Sequence, residues 1–313
     1  MNRKNRILLI ILIIIFSSSG IFAQTDYSWW NNTQQWNGVS SWTNYMIRSP
    51  YYMGPNALSI PFSEKGRVGE KVTFRFYGDY YYQKGDNTTD IGGRLVVPVS
   101  KGKVAIEAWG TLFEYYKMGE DVAIERRARH RYPSGFAIGD AYFATVVQLI
   151  RNKKFPDMAL RIGLRTASGN HLDDARYTDT PGYFFDLSFG QDFMKNQKQS
   201  LSWNAMIGFY SWQMSVPEYQ QDDAVLFGAG LDYSFYNTML SVSVAGYSGY
   251  FGNQSVIIIN KNKPVAFRDR PVVLRMNAQH QFGNYLFGIR LQAGIHDFLY
   301  KSVRIWCQIP VLK

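Results

Sequence analysis

Arginine residues recur in this chain at alternate positions of segments whose other positions are apolar. The clearest case is residues 158–165, where apolar side chains at the even positions alternate with a set that includes Arg161 and Arg165. Because successive side chains of a β-strand point to opposite faces, this segment has one apolar face and one face with two arginines. A guanidinium group binds a carboxylate or a phosphate through two parallel hydrogen bonds. These residues therefore predict a surface that attracts anions.

Five further arginines occupy the same kind of position in segments near the two ends of the repeat. They are Arg75, Arg94, Arg275, Arg290 and Arg304. The first two belong to the first and second predicted strands, and the other three to the last three predicted strands. If the last strand pairs with the first, all five side chains lie on one contiguous wall. We therefore expect a basic wall inside a closed barrel.

Acidic residues on the same face come from other predicted strands. They are Glu107, Asp140, Asp186 and Asp232, on strands three, four, six and eight. These acids fall broadly opposite the basic wall, where Arg161 and Arg165 interrupt them, so the predicted lumen is polarised and positive on balance. Alternatively, the charged side chains only fill a narrow barrel and pair with Asp79, Glu107 and their neighbours. The sequence leaves open whether the arginines select solutes or only pair.

The alternation returns in about twelve segments between residues 71 and 313. Five predicted connections are tight, at residues 101–103, 152–157, 194–199, 236–238 and 283–284. The intervening connections are residues 84–90, 119–135, 169–181, 215–224, 251–270 and 297–301, and most are longer. Outer-membrane barrels have short periplasmic turns and longer outer loops, whereas a soluble sandwich has no reason to alternate them. We predict an all-β fold, a closed antiparallel transmembrane β-barrel whose first strand starts in the periplasm.

The first residues have the pattern of an export signal. Arg3, Lys4 and Arg6 precede the apolar residues 7–16, and small residues follow before a predicted cleavage ahead of Gln24. An uncleaved anchor is the alternative, but the apolar run is shorter than the roughly twenty residues that span a bilayer. We therefore divide the chain into a signal peptide (1–23), an N-terminal aromatic segment (24–67) and a barrel (68–313), located in the bacterial outer membrane after export.

Composition agrees with a membrane barrel. The chain has 22 Tyr and 27 Gly, and 16% of its residues are aromatic, which suits short strands with aromatic girdles. Its formal net charge of +10 identifies no partner by itself. Cys307 is the only cysteine, so an intrachain disulfide is excluded. Its place on an apolar face predicts a small buried or lipid-facing residue rather than a reactive thiol.

Aromatic residues crowd the segment before the barrel. They are Trp29, Trp30, Trp36, Trp42, Tyr51 and Tyr52, and the Pro and Gly residues between 50 and 55 argue against a regular strand. One interpretation is a plug in the lumen, whose rings pack on Trp109, Tyr142 and Trp306. Another is a periplasmic or interfacial anchor, because Trp and Tyr prefer the membrane boundary. Stacking on sugar rings is a third.

With its signal pattern, its two-residue repeat, its alternating loop lengths and an end within the last strand, the chain resembles porin-like bacterial outer-membrane β-barrels. Its last residues, 311–313, depart from the aromatic residue that ends many such barrels. The resemblance implies a channel for passive or gated passage of small polar solutes. Twelve-stranded porins for acidic oligosaccharides also have basic lumens, so the resemblance favours anionic solutes. Outer-membrane lipid and lipopolysaccharide are the expected surroundings, and we expect no cofactor and no nucleic acid.

Two other functions stay open. A non-conducting accessory barrel of a secretion or uptake complex would use a loop such as residues 251–270 as a partner surface. A lipid hydrolase of the outer membrane needs a serine, a histidine and an orienting polar residue. Only Ser168 near His171 suggests such a site, without a third member, and no serine in register accompanies His280 or His296. We therefore predict no enzyme.

The predicted outer loops contain two charged groups. Residues 125–131 include four arginines, which predict attraction to lipopolysaccharide or to an acidic solute, or simply a solvated loop. Asp173, Asp174 and Asp179 are close in sequence, but they lack the spacing of a calcium-binding loop. We expect no metal site there.

Overall fold

The computed structural model describes residues 26–151, 154–196, 198–212, 222–249, 256–257, 265–266 and 269–311. The predicted signal peptide lies outside these residues. The same is true of most of the predicted outer connections at 215–224 and 251–270.

Strands dominate the described chain. They are β1 (Thr73–Gln83), β2 (Asp86–Ser100), β3 (Val104–Met118), β4 (Ser134–Ala137), β5 (Ala141–Ile150), β6 (Asp157–Arg165), β7 (Gly182–Lys195), β8 (Gln199–Trp212), β9 (Asp222–Phe235), β10 (Thr238–Gly249), β11 (Val256–Ile257), β12 (Val265–Ala266), β13 (Val272–Phe282), β14 (Tyr285–His296) and β15 (Lys301–Pro310). The helices are α1 (Ser28–Gln34), α2 (Glu120–Arg126) and two 3-10 turns, Trp42–Tyr45 and Leu172–Asp174. None of these described helices is long and apolar enough to cross a bilayer.

Twelve of the strands close into a barrel in which every neighbouring pair is antiparallel. Pairing of β15 with β1 completes the ring, from Thr73 opposite Pro310 to Tyr82 opposite Lys301. β4 is an extra strand on the outer end of β3, and β11 pairs with β12. A closed ring leaves no strand edge whose backbone groups would be unsatisfied in lipid. The predicted fold is confirmed.

The outer surface of the barrel is apolar. Ile162, Ile289 and Ile305 have exposed fractions of 56%, 43% and 67%, whereas Arg161 and Asp186 on the inner face are buried. Exposed aromatic residues ring the end with the tight turns, among them Phe155, Phe193, Tyr236, Phe282 and Tyr285. An apolar band bounded by aromatic rings is the surface that a membrane barrel presents to lipid. The two faces follow the predicted alternation.

One predicted outer connection is wrong. Residues 84–90 were expected to form a loop, but β1 and β2 are joined by a two-residue turn at Lys84 and Gly85, and Gln83 pairs with Asp86. Gly85 has a φ of +83°, a conformation that glycine adopts without strain. The polar residues from Asp86 to Asp90 therefore extend β2, with alternate side chains buried.

The predicted alternation also fails in the second half of β3. The register with β2 shifts opposite Ile91 and Gly92, so that Leu112 is an extra residue in β3. Leu112 and Phe113 are consecutive and both exposed, and Glu114 is fully buried in the lumen. If side chains alternated strictly from Ile106, which faces outward, Glu114 would face outward as well. A carboxylate facing lipid is costly, and this is the one sequence signal for the bulge.

The outer half of the lumen is filled by a hydrophobic core. Apolar residues of the N-terminal segment, including Met53, Ala57 and Leu58, pack against inward tyrosines of the barrel. Tyr81, Tyr142, Tyr210, Tyr247 and Tyr300 are all buried in this group. The barrel and the segment before it therefore share one core.

The apolar outer face makes a direct prediction about stability. Substituting Ile305→Arg, in the middle of β15, should lower the free energy of unfolding in lipid vesicles by about 2–4 kcal/mol, because it places a charge against hydrocarbon. Ile305→Leu is the matched control and should cost much less. Equilibrium denaturant unfolding, followed by gel mobility, measures both. Equal stability of the two variants would mean that this face does not contact lipid.

Candidate functional site

The aromatic residues at the start of the described chain lie at the outer mouth of the barrel. The indole Nε1 of Trp30 donates to the carbonyl oxygen of Arg127 at 2.9 Å. The guanidinium of Arg129 lies 3.5 Å from the ring centroid of Tyr27 and 4.7 Å from that of Trp42. Because these arginines belong to the connection that follows α2, the rings cover an outer loop.

Trp29 and Trp36 complete this aromatic cap, defined by Tyr27, Trp29, Trp30, Trp36 and Trp42. Trp29 packs against buried residues of β3 and α2, and the Trp36 ring lies 6.2 Å from that of Trp30. Tyr51 and Tyr52 lie further along the chain, edge to face with each other at 4.9 Å.

The barrel rings that were expected to receive the tryptophans have other partners. Trp109 stacks on Tyr142, with centroids 5.1 Å apart and planes 12° apart. Trp306 lies under the guanidinium of Arg75, 4.2 Å away. The aromatic cap therefore forms on outer loops, with Trp42 also packed against the core of the lumen, and the stretch that enters the barrel contains no tryptophan.

Residues 46–67, here called the lumen segment, run from the outer mouth to the end with the tight turns. Near the top, the amide of Gly54 donates to the carbonyl of Ala175 at 2.8 Å. Lower down, the hydroxyl of Tyr247 donates to the carbonyl of Leu58 at 3.2 Å. Near the bottom, Gln148 donates to the carbonyl of Gly66 at 2.7 Å. These contacts place residues 46–67 in the lumen, whereas the earlier part of the predicted aromatic segment lies at the outer mouth.

Arginines of the barrel hold the backbone of the lumen segment. Arg165 donates to the carbonyl of Ala57, and Arg161 to that of Phe62 at 3.3 Å. Arg275 donates to the carbonyls of Ile60 and Pro61 at 2.8 and 2.6 Å. An irregular chain has no ladder of its own, so its buried carbonyls need donors from elsewhere. The predicted lumen arginines supply them.

Ion pairs fasten the lower end of the segment. Lys65 lies 3.7 Å from Asp232, and Arg67 bonds to Asp157 and lies 3.4 Å from Asp192. Gly66 between them has a φ of +66°, and a Cβ there would come within 2.5 Å of the Ser188 carbonyl. Glycine is required at this close approach. The chain then enters β1.

Below Ile60 the segment leaves a cavity of about 920 Å³ that reaches the end with the tight turns. Basic side chains outnumber acidic ones in its wall, and they are Lys65, Arg67, Lys71, Arg75, Arg94, Arg151, Arg161, Arg275, Arg290 and Arg304. The carboxylates in the wall are Glu64, Glu70, Glu107 and Asp232. The imbalance gives this half of the lumen a positive potential.

Every predicted lumen acid lies within ion-pair distance of a basic side chain. The pairs are Glu107 with Arg94 at 2.8 Å, Asp140 with Arg165 at 3.8 Å, Asp186 with Arg161 at 2.8 Å and Asp232 with Lys65 at 3.7 Å. Asp79 binds Arg304 through two hydrogen bonds of 2.7 and 2.6 Å. Asp140 precedes β5 by one residue instead of lying within the strand. The acids are thus neutralised locally.

Three arginines of the basic wall lack such a partner. Among the described residues, no carboxylate lies within 4 Å of the guanidinium of Arg75, Arg275 or Arg290. Arg75 bonds to the amide oxygen of Gln308 at 2.7 Å, and Arg290 to that of Asn277 at 2.6 Å. These three cations, on β1, β13 and β14 of the contiguous wall, contribute to the surplus positive charge.

Phe62 of the lumen segment lies against two of these cations. The guanidinium carbons of Arg275 and Arg290 are each 4.1 Å from its ring centroid. A ring face attracts a cation, so Phe62 partly replaces the missing counter-ion. The segment therefore sits on the basic wall instead of avoiding it.

The outer half of the lumen has a different electrostatic character, because its charges are buried and paired. Arg176 donates to Asp86 at 2.9 Å and to Glu114 at 2.7 Å, and Arg126 donates to Asp86 at 2.7 Å. Asn56 of the lumen segment donates to Glu114 at 2.8 Å. This outer charge network joins two outer loops, the barrel wall and the segment.

Sequence reasoning missed the outer charge network. Glu114 is hidden by the bulge in β3, and Asp86 was assigned to a loop. Arg126 and Arg176 come from connections in which charged residues are ordinarily solvated, yet they are 1% and 0% exposed. Extending β2 to include Asp86 and Asp90 would have placed two more acids in the lumen. This is the only local signal that could have indicated negative charge without a partner at the outer end.

The basic run at 125–131 is also used inside the protein. Arg126 and Arg127 are buried, and Arg129 stacks on the aromatic cap. Only Arg131 is exposed among these arginines, and it bonds to Glu120 at 2.8 Å. The run therefore anchors the outer loop and offers little free charge to lipopolysaccharide.

The suggested hydrolase residues do not assemble. Ser168 Oγ bonds to Thr166 at 2.8 Å, and among the described residues no hydrogen bond joins it to a histidine. His171 instead lies 3.7 Å from Asp173. Across the outer mouth, His130 lies 2.6 Å from Asp174. The carboxylates raise the pKa of both histidines, Asp174 for His130 and Asp173 for His171.

The outer charge network predicts a large effect for one substitution. Arg176→Met should lower the free energy of unfolding by about 3 kcal/mol, because it leaves Asp86 and Glu114 buried with one cation fewer. Arg131→Met removes an exposed cation from the same face and should cost about 0–1 kcal/mol. Denaturant unfolding in lipid compares the two. A loss for Arg176→Met as small as that of the control would show that the network does not stabilise the fold.

Neither a protein-family model nor a curated protein sequence matches this chain. Among solved structures, an outer-membrane channel from Pseudomonas putida F1 is similar, with 12% identity over 80% of this chain and 99% of that one and a TM-score of 0.50. KdgM porin matches with 8% identity over 75% and 98% of the two chains and a TM-score of 0.43. At these identities, the match to the Pseudomonas channel shows a shared outer-membrane barrel fold.

Proposed function

We propose that the protein is an outer-membrane channel for small anionic solutes, closed by its own N-terminal segment. The proposal rests on one observation: Arg75, Arg275 and Arg290 line a cavity below the lumen segment without a carboxylate partner among the described residues. The apolar outer face and the fold shared with an outer-membrane channel support the location. Lipid then surrounds the barrel, and contact of its outer loops with lipopolysaccharide belongs to the same proposal.

The cavity suits an anion physically. Guanidinium groups bind carboxylate and phosphate oxygens in pairs, and rings of such groups bias a pore towards anions. The three arginines are already supported by Gln308, Gln292 and Asn277, whose amide oxygens hold their Nε atoms. Their orientation is therefore set before a solute arrives, which lowers the entropic cost of binding.

Passage to the outside requires the lumen segment to move. Its apolar residues Met53, Ala57 and Leu58 are at most 2% exposed and pack tightly on inward tyrosines. A close-packed core of this kind leaves no path for a polar solute. We therefore propose gated rather than passive passage.

Glu64 is our candidate for the latch of this gate. Its carboxylate lies 2.7 Å from Arg94 and 3.6 Å from Arg161, and its side chain is 36% exposed towards the cavity. A solute carboxylate that enters the cavity meets the same two cations that Glu64 holds. Competition for these cations couples solute binding to release of the segment.

A non-conducting accessory barrel is the second candidate, and the packed outer half of the lumen favours it. The two functions differ in conductance. Planar-bilayer recordings of the full chain should show openings if the protein is a gated channel. Silence at all voltages, for the wild type and for the latch variant below, would favour the accessory role.

The proposed role of the cavity arginines can be tested through the ion selectivity of the channel. The double variant Arg75→Gln and Arg290→Gln should reduce the anion preference of open events severalfold, because it removes two uncompensated charges without leaving an acid unpaired. The matched control removes two exposed cations at the outer end, Arg131→Gln and Lys84→Gln, and should leave the preference nearly unchanged. The reversal potential in a salt gradient measures both. An unchanged preference in the first variant would remove the arginines from the proposal.

Gating tests Glu64. Glu64→Gln keeps the size of the side chain but weakens its ion pairs with Arg94 and Arg161, so the ratio of open to closed time should rise about fivefold, or about 1 kcal/mol. Glu70→Gln is the control, since Glu70 also pairs with an arginine, Arg151 at 3.2 Å, but at the periplasmic rim. Single-channel recordings measure the open fraction. An equal effect of the two substitutions would contradict the latch.

A further inference from the structure

We propose a binding site for a transition-metal ion, with Zn²⁺ as the best match, at the outer mouth of the barrel. Its ligands are His130, His171, Asp173 and Asp174. The site lies at the end opposite the arginine cavity, and it does not depend on the proposed channel function.

The four side chains converge from two outer loops. The ligand atoms of His171, Asp173 and Asp174 lie within 4.8 Å of one another. From the other loop, His130 Nδ1 lies 2.6 Å from Asp174 Oδ1 and 4.0 Å from Asp173 Oδ2. Ligand atoms about 2.0–2.2 Å from a tetrahedral zinc ion are separated by about 3.5 Å. The donors therefore need only small side-chain adjustments to enclose an ion.

The donor set identifies the class of metal. Two imidazoles with two carboxylates suit zinc and its neighbours in the first transition row, whereas calcium and magnesium prefer oxygen ligands alone. Asp179, which lies near the two aspartates in sequence, is not in the cluster that the structure forms. His130 and His171 complete the cluster instead. Their separation in the sequence matches no metal-binding motif, so only the structure shows that they are close.

A supporting residue orients one of the ligands. Tyr116 on β3 donates to Oδ2 of Asp174 at 2.5 Å, which leaves Oδ1 on the side of the histidines. The Asp174 side chain is only 5% exposed, whereas those of His130 and His171 are 34% and 37% exposed, so an ion has access from outside. Hydrogen bonds of this kind to a ligand's second atom are a regular feature of metal sites.

Metal binding would join the two outer loops. His130 adjoins Arg129, which stacks on the aromatic cap, and Asp174 adjoins Ala175, whose carbonyl holds Gly54 of the lumen segment. A bound ion therefore adds a cross-link beside the point where the segment enters the barrel. We expect the ion to raise the thermal stability of the folded protein, because it binds the native arrangement only.

The test uses the purified full-length protein without a histidine tag. Titration with Zn²⁺ against a chromophoric chelator should give one tight site in the wild type. His171→Asn and His130→Gln should each weaken this binding at least about tenfold. Asparagine is chosen at position 171 because the backbone there has a φ of +60°, which asparagine tolerates.

The matched control is the double variant His280→Asn and His296→Asn, which removes the other two histidines and should bind Zn²⁺ like the wild type. Gel mobility confirms folding of each variant. If one of the two single ligand variants does not fold, the titration uses the other one. Ca²⁺ in place of Zn²⁺ should not compete. Absence of a tight site in the wild type, or equal affinity in the two ligand variants and the control, would overturn the proposal.

Discussion

The structure depends on the hydrogen bonds that barrel arginines donate to an irregular chain inside the lumen. Residues 46–67 pass through the barrel without strand partners, and Arg161, Arg165 and Arg275 satisfy carbonyls between Ala57 and Phe62. Buried carbonyls that lack donors are costly, so a lumen filled by such a segment must be rich in donors without acceptors of their own. Arginine meets this need best, because it has five N–H groups and no acceptor.

This need for donors inside the lumen also produces a different charge balance at the two ends of the barrel. At the outer end, loop arginines are matched by Asp86 and Glu114, and the core is closed by tyrosines. At the inner end, the segment leaves a cavity in which Arg75, Arg275 and Arg290 exceed the available acids. Arg161 and Arg275, which bond to the backbone of the segment, also line this cavity. Under the proposed function, an anion that binds these side chains competes with the segment for them.

Much of the fold could be predicted from the sequence, because a strand that faces lipid on one side must alternate. The strands, their faces and the position of seven lumen arginines follow from that constraint. The failures have physical reasons. One extra residue at Leu112 reverses the side of Glu114, and Gly85 permits a turn so short that Asp86 and Asp90 join the strand. The tryptophans carry no periodic pattern, and only the outer loops determine where they pack.

The sequence by itself determined the alternating strands, the apolar exterior and an interior with more arginine than acid, because these depend on the local period of two residues. The tertiary structure alone decided which arginines are neutralised. Arg94 meets Glu64 and Glu107, while Arg75 meets an amide. It also brought His130 to Asp174 across 44 residues of chain. Such pairings depend on the path of the lumen segment and of the outer loops, where no repeat constrains the register.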